Sequence, residues 1–241
     1  MHKRKEVTLG ADAPEPKRAD PCACTNVSCS GCKLLLPVWR KSTSPDNNLG
    51  KTEVGPSREK ITHSSAIVLL ERLGVDKDSI FVDIGCGHGL VCMAAAAHSK
   101  CRKSMGIDLA NDLISWALRH MPRETEGALW YYLGDILTLW PTALDEATHY
   151  YCNNRDFPPA VLSNMAHRLY YNRMVWKRFA SAKSLSDILG AMVATGVKED
   201  TGVYKFWSQN VLYENANHHT SLAVTLCGSR QRIGIYIMIK F

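Results

Sequence analysis

The chain has 241 residues, 46% of them hydrophobic, with a formal net charge of +6. That is enough apolar side chain to bury the core of one domain of ordinary size, with a tail to spare. No apolar run approaches the length of a membrane span, and the basic start Met1-His2-Lys3-Arg4-Lys5 leads into polar sequence rather than a secretory leader, so the chain reads as intracellular, with no membrane partner.

In chain order, residues 1–57 read as a disordered basic, cysteine-containing tail and linker, and residues 58–241 as one catalytic domain. Residues 1–20 are rich in charge, Pro and Ala, with little apolar periodicity. Lys3-Arg4-Lys5 and Lys17-Arg18 resemble a short bipartite nuclear signal, which points to a nuclear protein. Cys22, Cys24, Cys29 and Cys32 form C-x-C-x4-C-x2-C, a set able to hold zinc through four thiolates. The alternative is reduced thiols in a tail. Residues 41–58 are polar, with Pro and Gly, and read as a linker.

The domain opens with a helix over residues 63–73, capped by Thr62 or Ser64 and ended by Gly74. Residues 80–82 are a short apolar strand, Gly85 to Gly89 a glycine turn, and residues 90–98 an alanine-rich helix. Strand 104–107 ends at Asp108, a helix covers 111–120, strand 129–133 leads to Gly134-Asp135, and strand 148–152 leads to Asn153-Asn154. This alternation predicts an α/β, doubly wound, mostly parallel sheet. Runs at 174–179, 203–207, 222–226 and 233–239 predict an antiparallel C-terminal end.

The chemistry gathers behind the first strand. Gly85, Gly87 and Gly89 give G-x-G-x-G, not the G-x-G-x-x-G of dinucleotide sites. Asp83, two places before Gly85, suits the ammonium of a methionine moiety and repels a pyrophosphate. Asp108 ends the second strand, where a carboxylate binds ribose hydroxyls. Asp135 is placed to accept from an adenine amino group, and Ile136 to pack on the ring. Singly, each aspartate reads as a cap or loop residue. Together they point to S-adenosylmethionine and a Rossmann-like class I methyltransferase. Asn153 ends the strand beside the transferred methyl, where its carbonyl oxygen can hold an amine. Phe157, Trp207 and Tyr213 are candidate walls of an apolar channel, with core as the alternative for each. Between Asp156 and Asp187 the chain has no acidic residue but carries Arg168, Arg173, Lys177, Arg178 and Lys183, a stretch suited to a DNA or RNA backbone, with a solvated face and ordinary strand-end charges as the alternative.

From Ile80 to about Tyr213 the sequence resembles the non-SET histone lysine methyltransferases named for disruption of telomeric silencing, especially their compact members. Phe81–Gly89, Gly106-Ile107-Asp108 and Gly134-Asp135 resemble motifs shared by many methyltransferases. More specific are Asn153-Asn154-Arg155-Asp156-Phe157-Pro158-Pro159 and Leu185-Ser186-Asp187-Ile188, the latter followed by a Trp207-bearing segment that resembles the family's late hairpin. Where the family has a Tyr-Gly-Glu-Thr loop, this chain reads Arg58-Glu59-Lys60-Ile61-Thr62. The resemblance implies methylation of a lysine on the globular face of histone H3 in nucleosomes. It implies Thr62, Asp83, Gly85, Gly87, Gly89, Asp108, Asp135, Ile136 and Asn153 at the cofactor, and Trp207 and Tyr213 along the lysine channel. Two other readings stand beside it: a methyltransferase of the same fold acting on RNA or a non-histone protein, and a chromatin-binding module with weakened catalysis.

Overall fold

The computed structural model describes residues 29–43, 60–138, 140–213, 221–227 and 232–240. In chain order its elements are α1 (Ser30–Thr43), β1 (Lys60–Ile61), α2 (His63–Leu73), β2 (Ile80–Ile84), α3 (Leu90–Ala97), β3 (Lys103–Asp108), α4 (Asn111–His120), β4 (Leu129–Leu133), β5 (His149–Cys152), α5 (Pro159–Tyr171), β6 (Arg178–Ser181), α6 (Leu185–Ala194), α7 (Gly202–Gln209), β7 (Val211–Tyr213), β8 (Ser221–Cys227) and β9 (Arg232–Lys240). No described helix is long and apolar enough to cross a membrane.

Every residue of β2 is buried. Successive side chains of a strand face opposite ways, so β2 feeds two cores. Ile80, Val82 and Ile84 pack with Tyr150, Leu162, Trp176 and Phe179. Phe81 packs on the other face among Leu69, Leu70, Met93 and Trp116. A strand apolar on both faces belongs mid-sheet between two helix layers. That is its place: β4, β3, β2, β5 and β6 lie side by side in that order, all parallel. Beyond β6 the sheet turns antiparallel, as expected. β9 pairs with β6 on one edge, and with β8 and β7 on the other; β1 pairs with β8.

Three expectations need correction. Ser30–Thr43, read as tail and linker, forms α1. Leu35 and Trp39 are buried there in the same core as α2 and α3, so the segment has an apolar stripe of its own. Residues 203–207, read as a strand, lie in α7: Thr201 caps it by accepting from Tyr204 N, and Val203, Phe206 and Trp207 form one buried helical face. Over five residues a helical face and a buried strand look alike. The run at 174–179 becomes strand only at Arg178, because Arg173 N donates to Tyr170 O and Val175 N to Asn172 O in the preceding turns. Residues 1–20, with the basic nuclear-signal pairs, lie outside the described residues, as do residues 44–58 of the linker.

Candidate active site

Strand order reverses at β2: the chain goes outward from β2 to β3 and β4, then returns to lay β5 on the other side of β2. The crevice at the carboxyl ends of such strands is where open α/β sheets bind ligands. Register sets what lines it. Ile84 of β2 pairs with Ile107 of β3 and Cys152 of β5, so Gly85, Asp108 and Asn153 are the next residues along three adjacent strands.

The turn after β2 is held open by backbone bonds. Gly85 N and Cys86 N both donate to Ile107 O, at 2.8 and 3.1 Å. Gly87 N donates to Asp108 Oδ2 at 2.8 Å. Gly87 has φ +55°, and a Cβ there would meet nothing within 4 Å, so the backbone faces open space. Gly89 differs: with φ +68°, a Cβ would lie 2.3 Å from the Tyr131 ring, whose hydroxyl donates to Gly89 O at 2.9 Å. Tyr131 locks the turn to the head of α3, a role that its place inside β4 did not announce.

The carboxylates divide their work. Asp83 is 2% exposed, and its Oδ1 has no hydrogen-bond partner. Burial, and then the nearby charge of Asp108, push its carboxyl well above the ordinary range. Such a group favours a cation beside it. Asp108 accepts from Gly87 N and, through Oδ1, from Ala110 N at 2.9 Å. Each oxygen keeps acceptor capacity for a hydroxyl. Asp135 Oδ1 accepts from Leu137 N at 2.9 Å and shapes the loop after β4. Ile136 beside it is buried in the core that holds Ile84 and Ile107. The Thr62 hydroxyl accepts from Ser65 N at 3.3 Å and donates to Ser65 Oγ at 2.9 Å, capping α2.

On the acceptor side the two asparagines separate. Asn154 is fully buried: its Oδ1 accepts from Lys183 N at 2.9 Å and from Ser181 Oγ, and its amide donates to that hydroxyl at 3.0 Å. It ties β5 to the end of β6. Asn153, free of that task, has a buried Oδ1 with no partner. The Phe157 ring covers Gly85, 3.3 Å from where a Cβ would stand. Tyr213 accepts from Leu185 N through its hydroxyl at 2.6 Å, and its ring lies 5.5 Å from that of Tyr236.

Trp207 corrects the channel expectation. It is 0% exposed, donates to Ala166 O at 3.0 Å and stacks on Trp176. A ring enclosed by α5 and β6 side chains offers no wall to a substrate. The basic stretch is also divided. β6 runs parallel to β2, so Arg178 at its start lies at the sheet edge opposite the crevice, while Lys183 follows its end. Arg178 donates to Arg72 O, and Arg173 to Tyr170 O. Among the cysteines of the proposed thiolate set, Cys22 and Cys24 lie outside the described residues, whereas Cys29 and Cys32 stand beside His98.

The family model described as "Histone methylation protein DOT1" matches residues 60–132. A Caenorhabditis elegans protein named "Histone-lysine N-methyltransferase, H3 lysine-79 specific" is 28% identical over 130 residues. Over these residues the chain is similar to the DOT1 family. The match to the C. elegans protein spans 49% of this chain and 14% of that protein. The DOT1 match holds the glycine turn, Asp83 and Asp108; Asp135 and Asn153 lie beyond its end. The fold is that of class I methyltransferases. A candidate RNA methyltransferase from Pyrococcus horikoshii superposes with a TM-score of 0.51 at 12% identity, over 87% of this chain and 97% of that one. An RNA methyltransferase from Salinibacter ruber gives 0.43 at 19% identity, over 53% and 76%.

Proposed function

We propose that this chain is a DOT1-family enzyme, that it transfers a methyl group from S-adenosylmethionine to a lysine on the globular face of histone H3 in nucleosomes, and that it acts in the nucleus. The observation that carries the reading is a pair of buried oxygens without partners, Asp83 Oδ1 and Asn153 Oδ1, near the ends of two adjacent strands beside an open glycine turn. Unpartnered buried polar atoms are uncommon and ask for a ligand.

The residues fit the cofactor. Asp83 receives the ammonium, the backbone at Gly87 admits the methionine moiety, Asp108 takes the ribose hydroxyls, and Asp135 with Ile136 lies toward the adenine. When bound, S-adenosylmethionine supplies the methyl group on a sulfonium, ready for in-line displacement. The chain supplies alignment and a neutral amine. Asn153 Oδ1 accepts from the lysine amine and aims its lone pair at the methyl carbon; alignment of this kind carries much of the rate. Phe157, at the mouth of the glycine turn, and Tyr213 give apolar surroundings that penalise the ammonium and favour loss of its proton. Lys183 on the crevice side, and exposed Lys177 at the opposite edge, are the proposed contacts to the DNA backbone.

Incubation with nucleosomes and methyl-labelled cofactor tests the proposal. Label on a lysine of histone H3 is expected, falling about 100-fold in Asn153→Ala. Label on RNA, with none on histone H3, would contradict the substrate; no label anywhere would favour the weakened binding module.

A further inference from the structure

A second cluster of reactive side chains sits far from the crevice. α3 starts at the glycine turn and is closed at its other end by His98. At 1.5 Å of rise per residue, that places His98 about 13 Å from Gly89. The first turn of α1 packs against this far end. Gly31 makes the approach: a Cβ there would lie 2.7 Å from Ala97 O and 3.0 Å from His98 Cα. The contact brings Cys29 Sγ to 3.5 Å and Cys32 Sγ to 3.9 Å from the same atom, His98 Nδ1. All three ligand atoms lie within 4.8 Å of one another.

One imidazole nitrogen has one lone pair or one N–H, so it cannot serve two sulfurs equally as a hydrogen-bond partner. A tetrahedral cation can serve all three. Zinc bonds of about 2.3 Å to sulfur and about 2.0–2.1 Å to nitrogen set S···N at about 3.5–3.6 Å; Cys29 stands at 3.5 Å and Cys32 at 3.9 Å. The spacing Cys29-x-x-Cys32 is a familiar chelating turn. Behind the imidazole, His98 Nε2 stands 3.9 Å from Glu71 Oε1, and a carboxylate in that position orients a metal-ligating ring. Cys32 is fully buried, while Cys29 and His98 are half-buried, which leaves a way in for an ion.

We propose that Cys29, Cys32 and His98 bind a zinc ion that pins α1 to the methyltransferase domain. The fourth position goes to water or to a further thiolate. The metal is structural, since the cluster stands a helix length from the crevice. It also differs from the all-thiolate set expected from sequence: a histidine 66 residues beyond Cys32 takes a place. At its other end α1 reaches the head of α2, where Trp39 Nε1 donates to Ile61 O at 3.1 Å and the indole meets the His63 ring edge-on. The ion therefore fixes a helix that braces the entry to α2, and this proposal stands whether or not the methyl-transfer reading does.

Metal analysis of the 241-residue chain is expected to find about one zinc per chain. Cobalt substitution should give the thiolate-to-metal charge-transfer band of a tetrahedral site. Cys32→Ser and His98→Ala should each weaken zinc binding about tenfold or more, and His98→Cys should restore it. Chelation should speed amide exchange in α1 while leaving β2 and β5 protected. Four results would overturn the proposal: no stoichiometric zinc and no charge-transfer band; a Cys29–Cys32 disulfide in protein kept under reductant; zinc binding undiminished in His98→Ala; or exchange in α1 indifferent to chelation.

Discussion

Asp83 and Asn153 share a property that adjacent residues lack. Asn154 spends both ends of its amide on β6, and Asp108 spends both oxygens on backbone N–H groups, whereas Asp83 and Asn153 each keep a buried oxygen unpaired. Leaving such an atom unpaired costs about 1–3 kcal/mol, a cost that a bound cation or amine would offset. Replacing Asp83 with Asn keeps a polar side chain there but removes the ionisable carboxyl whose burial is unfavourable, so it should stabilise the unliganded protein at neutral pH in urea unfolding while weakening cofactor binding. Lower stability in the variant would mean that Asp83 has a partner in the unliganded protein. None of this division was legible in the pair Asn153-Asn154 alone: it depends on Ser181, 27 residues away.

At the scale of elements, the glycine turn and α3 form one unit through Tyr131. Gly87→Ala meets open space, and its cost should be confined to the left-handed φ, about 1 kcal/mol. Gly89→Ala drives a methyl into the Tyr131 ring and should cost about 2–4 kcal/mol by thermal or urea unfolding. Equal losses at the two positions would show that Tyr131 does not set the turn. The sequence made the turn and the parallel strands readable because their signals are local: glycines at alternate places, apolar runs of strand length, and acidic residues just past them. It misplaced residues 203–207 because Val203, Phe206 and Trp207 satisfy a helical and a strand pattern at once. The Cys29, Cys32 and His98 cluster was half visible: the cysteines announced themselves, but only the packing of α1 on α3 brings in the histidine.

Across the whole molecule, two buried groups tie stability to pH in opposite senses. Burial, with Lys177 and Arg178 nearby, lowers His149 from its ordinary 6.5 to about 4. The unfolded chain takes up that proton first, so His149 stabilises the fold above pH 6.5 and loses its contribution as pH falls toward about 4. Asp83 is raised. The unfolded chain releases its proton near the ordinary carboxylate value, and the fold loses stability as pH climbs from there. Below pH 6.5 the two groups therefore act on stability in opposite senses. His149→Gln should expose stability that falls with rising pH, and Asp83→Asn stability that rises with it. Parallel pH profiles for the two variants would refute this assignment.

The proposed chemistry requires S-adenosylmethionine to bind over the glycine turn with its ammonium at Asp83. Calorimetric titration of that cofactor into the chain, run in two buffers of different ionisation enthalpy, tests it most directly. The expected result is about one site per chain, net release of protons as the ammonium lowers the raised pKa of Asp83, and binding weakened about 10- to 100-fold in Asp108→Ala. No heat of binding, or the same affinity in Asp108→Ala, would contradict it.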